Sequence, residues 1–198
     1  MSWWEASEEI LRGIGRAINA IDPGQVETLL DTLLHVKREG RKALVLGAGR
    51  SGLVGKAFAM RLMHLGLDVY VMGETITPAI GEGDIVIIIS GSGSGAMSTM
   101  AAKMAKRLGS IIFAVTSYPD SELAQTSDHI VVVPGRETLA EESDYQSRQL
   151  LGEHESLAPM GTLFEDACAV FLDGLIAEFM VRLEVSEASM RKKHSTIE

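Results

Sequence analysis

The chain has 198 residues, of which 46% are hydrophobic and 23% charged, and its formal net charge is −9. These values are typical of a globular chain with its own core, and they argue against a mainly disordered protein. The acidic balance argues against a nucleic-acid-binding surface, which usually needs a basic patch, and no apolar run approaches the ~20 residues of a membrane span, so we expect a soluble, cytoplasmic protein.

Residues 1–40 are predicted to form a helical arm. Apolar residues recur at helical spacing from Ile10 to Ile18 and from Val26 to Val36, and Asp22-Pro23-Gly24 separates the two helices. We expect this arm to precede a sheet region over residues 41–198, with the whole chain forming a single domain.

Short apolar runs and helical patterns alternate after the arm. Strands are predicted at Lys42–Gly47, Asp68–Met72, Asp84–Ser90, Ser110–Thr116 and His129–Pro134, and helices at Leu53–Leu65, Ala96–Leu108 and Ser121–Thr126. The run Ile85–Ile89 is apolar at every position, which indicates a strand buried on both faces. The fold class predicted is α/β, with a five-stranded parallel sheet sandwiched by helices in a Rossmann-like or flavodoxin-like three-layer arrangement.

The last third of the chain begins with a polar, acidic stretch, residues 135–158, which we predict to be a mobile loop. An acidic loop explains its Glu153–Glu155 cluster more simply than a metal site does, so no metal is expected. Helical spacing returns over Pro159–Leu183, and a shorter amphipathic segment follows at Ser186–Lys193.

Two glycine-rich loops follow predicted strands. The first, GAGRSG over Gly47–Gly52, matches G-x-G-x-x-G, and Glu74 lies about twenty residues further on, where a dinucleotide site places a ribose-binding acid. A nicotinamide or flavin site therefore stays open for this loop alone.

The second loop, SGSGSG over Ser90–Gly95, precedes a predicted helix. Glycines let several backbone N–H groups point to one place, serine hydroxyls add donors, and the helix end adds positive potential. This combination favours a phosphate site over the alternative of a flexible Gly-Ser connector. Ala96 stands where a nucleotide-binding phosphate loop needs lysine, which argues against nucleoside triphosphate hydrolysis.

Five sequence blocks occur in order: GAGRSG at 47, FAMRLMHLG at 58, GETITP at 73, SGSGS at 90 and PMGTLFE at 159. Over residues from about 40 to 198 they resemble the sugar isomerase (SIS) domain family, most closely its 6-phospho-3-hexuloisomerase branch. The resemblance implies a cofactor-free homotetramer that interconverts 3-hexulose 6-phosphate and fructose 6-phosphate through a cis-enediol, in the ribulose monophosphate pathway. It also assigns Glu74 to a family turn rather than to ribose binding.

The resemblance further implies which residues bind the phosphate group. Ser90 and Ser92 are the expected ligands, with Ser51 added from the first loop. Many relatives have threonine at the position of Gly95, and Ser94 is the candidate replacement for the hydroxyl missing there.

Proton transfer needs a base and an acid. The resemblance makes Glu165 the candidate base, although Thr162 to Glu165 also reads as a helix capping box. His194 is the candidate proton carrier or ring-opening residue, with solvated helix-end charge as its alternative. Arg50 is expected to bind sugar hydroxyls or phosphate rather than form only a surface salt bridge, and His64 is predicted to be a core or interface histidine.

Two other functions stay open at this point. The domain could sense a sugar phosphate without catalysis, as in some regulators of this family, although the arm is too short and too acidic for a comfortable DNA-binding module. A dinucleotide-dependent oxidoreductase is the third possibility.

Cys168 lies among apolar neighbours in the sequence and is predicted to be a buried structural thiol.

Self-association is expected from the apolar helices at both ends of the chain. A five-stranded core cannot cover Trp3, Trp4, Phe171 and Phe179 together with the other apolar residues of these helices. The methionines at positions 60, 63, 97, 100 and 104 recur at helical spacing and are predicted to be packing residues.

Overall fold

A computed structural model describes residues 2–135 and 158–194 of the chain. The helices are α1 (Trp3–Asn19), α2 (Pro23–Arg38), α3 (Gly49–His64), α4 (Ala96–Arg107), α5 (Glu122–Thr126), α6 (Thr162–Arg182) and α7 (Glu187–Arg191). The strands are β1 (Lys42–Gly47), β2 (Asp68–Val71), β3 (Ile85–Ile89), β4 (Ile111–Thr116) and β5 (His129–Val132). Most of the acidic stretch at 135–158, with its Glu153–Glu155 cluster, lies outside the described residues.

The predicted arm forms the two helices α1 and α2, as the apolar spacing predicts. Asp22 caps α2 by accepting a hydrogen bond of 2.7 Å from the Gly24 N–H, and Pro23 occupies the first helical turn. A side chain at Gly13 of α1 would lie 2.8 Å from Leu163 of α6. The glycine therefore lets the arm pack closely against the long C-terminal helix.

The five strands form one parallel sheet in the order β2-β1-β3-β4-β5, which confirms the predicted α/β class. Gly47 at the end of β1 pairs with Ile89 at the end of β3, and Ile89 pairs with Val115 of β4. The carboxyl ends of the three central strands therefore reach the same edge of the sheet.

Both faces of the sheet are covered, and the two faces carry different helices. The odd-numbered residues of β3, such as Ile87, pack in one cluster with buried residues of α1, α2, α3 and α6. The even-numbered residues, such as Ile88, pack in a second cluster with α4 and α5. The chain thus leaves β1 toward one face and leaves β3, the neighbouring strand, toward the other.

The apolar residues predicted to cause self-association fall into two groups, one buried within the chain and one exposed. Phe171 and Phe179 lie on the buried face of α6, so they do not need a partner subunit to cover them. Trp3 and Trp4 are exposed, and the methionines at 60, 63, 97, 100 and 104 are 40–58% exposed, so they pack only partly within this chain. None of the described helices, including α6, is long and apolar enough to cross a membrane.

Candidate functional site

The candidate site lies at the carboxyl ends of β1 and β3. In open α/β sheets, ligands bind in the crevice where neighbouring strands send their connections to opposite faces. Here β1 leads through the first glycine loop into α3, and β3 leads through the serine loop, defined as Ser90–Gly95, into α4. Both sequence-predicted loops therefore border one crevice.

The glycines of the first loop are explained by close backbone contacts. A Cβ on Gly52 would lie 2.6 Å from the Gly47 carbonyl oxygen, and one on Gly47 would lie 2.8 Å from the Ser51 carbonyl carbon. Gly49 has a φ of 56°, a conformation that favours glycine. The G-x-G-x-x-G pattern therefore serves the tight turn from β1 into α3 and does not by itself indicate a dinucleotide.

The serine loop is held in place by hydrogen bonds to the connection between β4 and α5. The carbonyl of Gly91 accepts from the Ser117 N–H at 3.1 Å, and that of Gly93 accepts from the Leu123 N–H at 2.9 Å. Within the loop, the Gly93 N–H donates to the Ser90 carbonyl at 3.1 Å. An anchored loop of this kind is not a flexible connector, so its hydroxyls have defined positions.

The hydroxyls of the serine loop lie where α4 begins. Ser90 is half-buried, Ser92 and Ser94 are exposed, and the Ser94 N–H donates weakly to the Ser92 Oγ at 3.4 Å. The first turn of α4 has no acidic residue and no side-chain cap. The positive end of α4 is therefore not compensated by its own first turn or cap, and it suits an anion.

A charged cluster stands at the first loop. The Arg50 Nε donates to the Glu165 Oε2 at 2.5 Å, and its Nη2 donates to the Asp166 Oδ1 at 3.1 Å. The Arg50 side chain is 56% exposed, whereas that of Glu165 is 14% exposed. The guanidinium thus bridges two consecutive carboxylates at the start of α6, and the salt bridge considered for Arg50 is formed with the candidate base itself.

The capping-box interpretation of Glu165 is wrong. Helix α6 begins at Thr162 with Gly161 as its N-cap, and no side chain caps this end. Glu165 therefore lies beyond the position from which a capping glutamate reaches back to its cap. A Cβ on Gly161 would lie 3.2 Å from the Glu165 Oε1, so the glycine leaves room for the carboxylate.

Cys168 lies one turn beyond Glu165 and is fully buried, as predicted. Burial raises the pKa of the Cys168 thiol well above its ordinary range, and the charge of Glu165 raises it further. The thiol therefore stays protonated and is not a nucleophile of the site.

His64 and His194 meet each other, away from the other predicted site residues. Their rings stack with centroids 5.3 Å apart, in a pocket of about 450 Å³ lined by α3, α6 and α7. This pocket begins at Asp173 on α6, which lies about 12 Å along the helix from Glu165. Within one chain, then, His194 does not join the crevice.

The acid considered for ribose binding is held in an ion pair. The Glu74 Oε1 accepts from the Lys56 Nζ at 2.6 Å, which ties the end of β2 to α3. Over residues 2–135 and 158–194, no group of three His, Cys, Asp or Glu side chains is arranged to hold a metal ion.

Two contacts of the crevice escaped the sequence reasoning. Asp166 is the second partner of Arg50, and Phe164 lies against the serine loop, 3.0 Å from where a Cβ on Gly91 would be. The sequence gives no local signal for either contact beyond the position next to Glu165, because both contacts join distant parts of the chain.

Comparisons with known proteins show which family this chain belongs to. Residues 38–148 match the SIS domain family. A 3-hexulose-6-phosphate isomerase of Bacillus subtilis is 34% identical, with 100% of both chains covered, and an uncharacterized protein of Aeropyrum pernix is 53% identical over 98% of this chain and 92% of its own. A Methanococcus jannaschii protein, whose crystal structure infers a molecular function of 3-hexulose-6-phosphate isomerase, superposes with a TM-score of 0.74 at 33% identity, covering 98% of this chain and 97% of that one.

Proposed function

We propose that this chain, which belongs to the SIS domain family, is an isomerase that interconverts D-arabino-3-hexulose 6-phosphate and D-fructose 6-phosphate. The identity of the substrate is supported by the full-length match to a relative named for this reaction. The anchored serine loop and the carboxylate beside it supply the two things the reaction needs, a phosphate site and a base.

The phosphate group binds at the serine loop. Ser90, Ser92 and Ser94 provide hydroxyl donors beside the uncompensated N-terminus of α4, and Ser51 adds one from the first turn of α3. Both helix ends direct positive potential toward the crevice. A phosphate dianion is thus held locally although the chain as a whole is acidic.

Glu165 moves the proton. The carboxylate takes the proton from C2 of the 3-hexulose, the C2–C3 enediol forms, and the proton returns to C3 while the carbonyl shifts to C2. No electrons are exchanged with another molecule, so the residues need no redox cofactor. Arg50, already in contact with Glu165, lies where it can bind the substrate oxygen or phosphate as the carboxylate is released.

His194 acts as the second proton carrier or in ring opening, within a homotetramer. In its own chain it stacks on His64, in a pocket whose nearest α6 residue to Glu165 is Asp173, more than two helical turns further along that helix. A neighbouring subunit therefore brings it to the crevice. We expect the reaction to occur in the cytoplasm, because charged sugar phosphates do not cross a membrane unaided.

The test is conversion of fructose 6-phosphate without added cofactor or metal by the wild type, Glu165→Gln and Glu39→Gln. Glu39 is an exposed carboxylate at the end of α2 and serves as the matched control. We expect Glu165→Gln to lose on the order of 100-fold or more in kcat while still binding the sugar phosphate, and Glu39→Gln to match the wild type. A wild type that binds the sugar phosphate without turnover would instead be a sensor.

A further inference from the structure

Ser98 carries a buried hydroxyl that has no hydrogen-bond partner among the described residues. It is the third residue of α4 and is 2% exposed, and its Oγ forms no hydrogen bond within the described part of the chain. Its neighbour Thr99 is almost as buried but donates from Oγ1 to the Ala96 carbonyl at 3.2 Å. Buried polar groups are normally satisfied by protein, water or ligand, so the orphan at Ser98 requires an explanation.

The orphan hydroxyl is directed toward the serine loop. Side chains of a helix tilt toward its N-terminus, and the Oγ of Ser98 lies 3.8 Å from where a Cβ on Gly95 would be. No other atom outside the adjacent residues lies within 4 Å of that point. Because residue 95 is glycine, no side chain stands between Ser98 and the anion site, and a change of χ1 rotamer moves the Oγ without moving the backbone.

Ser51 occupies the equivalent position of the neighbouring helix. It is the third residue of α3, is 8% exposed, and also makes no side-chain hydrogen bond among residues 2–135 and 158–194. Since α3 and α4 leave the sheet on opposite faces, the two hydroxyls flank the crevice from both sides. This symmetry indicates a shared ligand rather than a local packing defect.

We infer that Ser98 is a phosphate-binding residue, whose Oγ donates to the phosphate group of the sugar at the N-terminus of α4. The inference rests on the proposed function for the identity of the sugar, and it adds a ligand that lies beyond the glycine-serine repeat. A hydroxyl kept without a protein partner lowers stability and is available to the ligand.

The test compares Ser98→Ala with Thr99→Val by calorimetric titration with inorganic phosphate and fructose 6-phosphate. We expect Ser98→Ala to weaken both affinities about tenfold, the usual effect of losing a hydrogen bond to a charged group, with an unfolding temperature equal to or above that of the wild type. Thr99→Val should keep both affinities and unfold at a lower temperature, because its hydroxyl is already satisfied. Unchanged phosphate affinity in Ser98→Ala, or weaker binding together with a lowered unfolding temperature, would overturn the inference.

A rescue experiment separates binding from structure. Gly95 has a φ of −63°, which any residue can adopt, so Gly95→Ser adds a hydroxyl beside the one removed. We expect Ser98→Ala/Gly95→Ser to regain most of the phosphate affinity, and no recovery would contradict the role of Ser98. Ser98→Cys, with the same shape and a weaker donor, gives the same binding comparison if the alanine variant does not fold.

The two proposals fail in different ways. Phosphate binding without turnover by the wild type would refute the isomerase alone, whereas turnover with an unaltered KM in Ser98→Ala would refute the phosphate-binding role of Ser98 alone.

Discussion

Arg50 forms an ion pair with the candidate base Glu165, and this pair must open before the base can act. The Glu165 Oε2 already accepts a hydrogen bond of 2.5 Å from the guanidinium, so this oxygen must be released before it can take a proton from carbon. Asp166 already binds another nitrogen of the same guanidinium at 3.1 Å. When the substrate enters, Arg50 therefore has a second carboxylate to hold it while Glu165 is released.

Replacing Asp166 should impair catalysis more than binding. In Asp166→Asn, Glu165 is the remaining carboxylate that pairs with Arg50, so its release becomes harder. We expect kcat to fall about fivefold with KM changed by less than about twofold. Asp166→Glu should recover kcat, because the carboxylate returns. Asp31→Asn, which removes an exposed acid near Arg182 on the far side of the chain, is the control. A raised KM at constant kcat would show that Asp166 serves substrate binding instead.

Cys168 predicts a pH dependence of stability. Burial raises the pKa of its thiol, as does the charge of Glu165, so above about 8.5 the unfolded chain loses this proton while the folded chain keeps it. The unfolded state then binds fewer protons, and stability falls as pH rises. We expect denaturant unfolding to show this decline in the wild type and a smaller one in Cys168→Ala; equal slopes would contradict the assignment.

At the scale of the elements, the turn from β1 into α3 depends on glycine at position 52. A Cβ there would lie 2.6 Å from the Gly47 carbonyl oxygen, so Gly52→Ala should destabilise the fold by roughly 1–3 kcal/mol. Gly174, in the interior of α6, has open space around its Cβ position, and Gly174→Ala should stabilise by roughly 0.5–1 kcal/mol. Thermal unfolding of both variants tests this, and a shift of the same sign in both would count against it.

The elements themselves could be predicted because their signals are local. Apolar runs such as Ile85–Ile89 and the glycine turn after Lys42–Gly47 carry strand and turn information within a few residues. The interpretation of Thr162 as a cap failed because the helix begins one residue earlier than the motif requires, with Gly161 as its cap. The contacts of Arg50 join residues 115 and 116 positions apart, a separation that no local pattern encodes.

At the scale of the whole molecule, exposed apolar residues lie on opposite sides of the sheet. On α1, which covers one face, Trp3 is 77% exposed; on α4, which covers the other, Met97, Met100, Met104 and Leu108 form a stripe at helical spacing. A tetramer with dihedral symmetry needs two separate self-complementary surfaces, and these two patches are the candidates for them. The exposed parts of these methionines are thus available to pack between chains.

Disrupting the α4 stripe should halve the assembly. We expect the wild type to sediment as a tetramer and Met100→Lys/Met104→Lys as a dimer, because burying two ammonium groups in an apolar contact is unfavourable. Lys103→Met, on the same helix and exposed, removes a charge instead of adding one and is the control. A wild type that sediments as a monomer would refute the tetramer.

The proposed tetramer also bears on whether His194 reaches Glu165. Within a chain the two residues lie apart, His194 stacking on His64 and Glu165 pairing with Arg50, so the proposed mechanism requires them from two different subunits. Glu165→Gln and His194→Ala should each be inactive alone. When the two are mixed, dissociated and reassembled, some sites combine an intact Glu165 with an intact His194, and part of the activity should return. If both residues acted within one chain, no mixed assembly would contain a complete site, and the mixture would stay as inactive as its components.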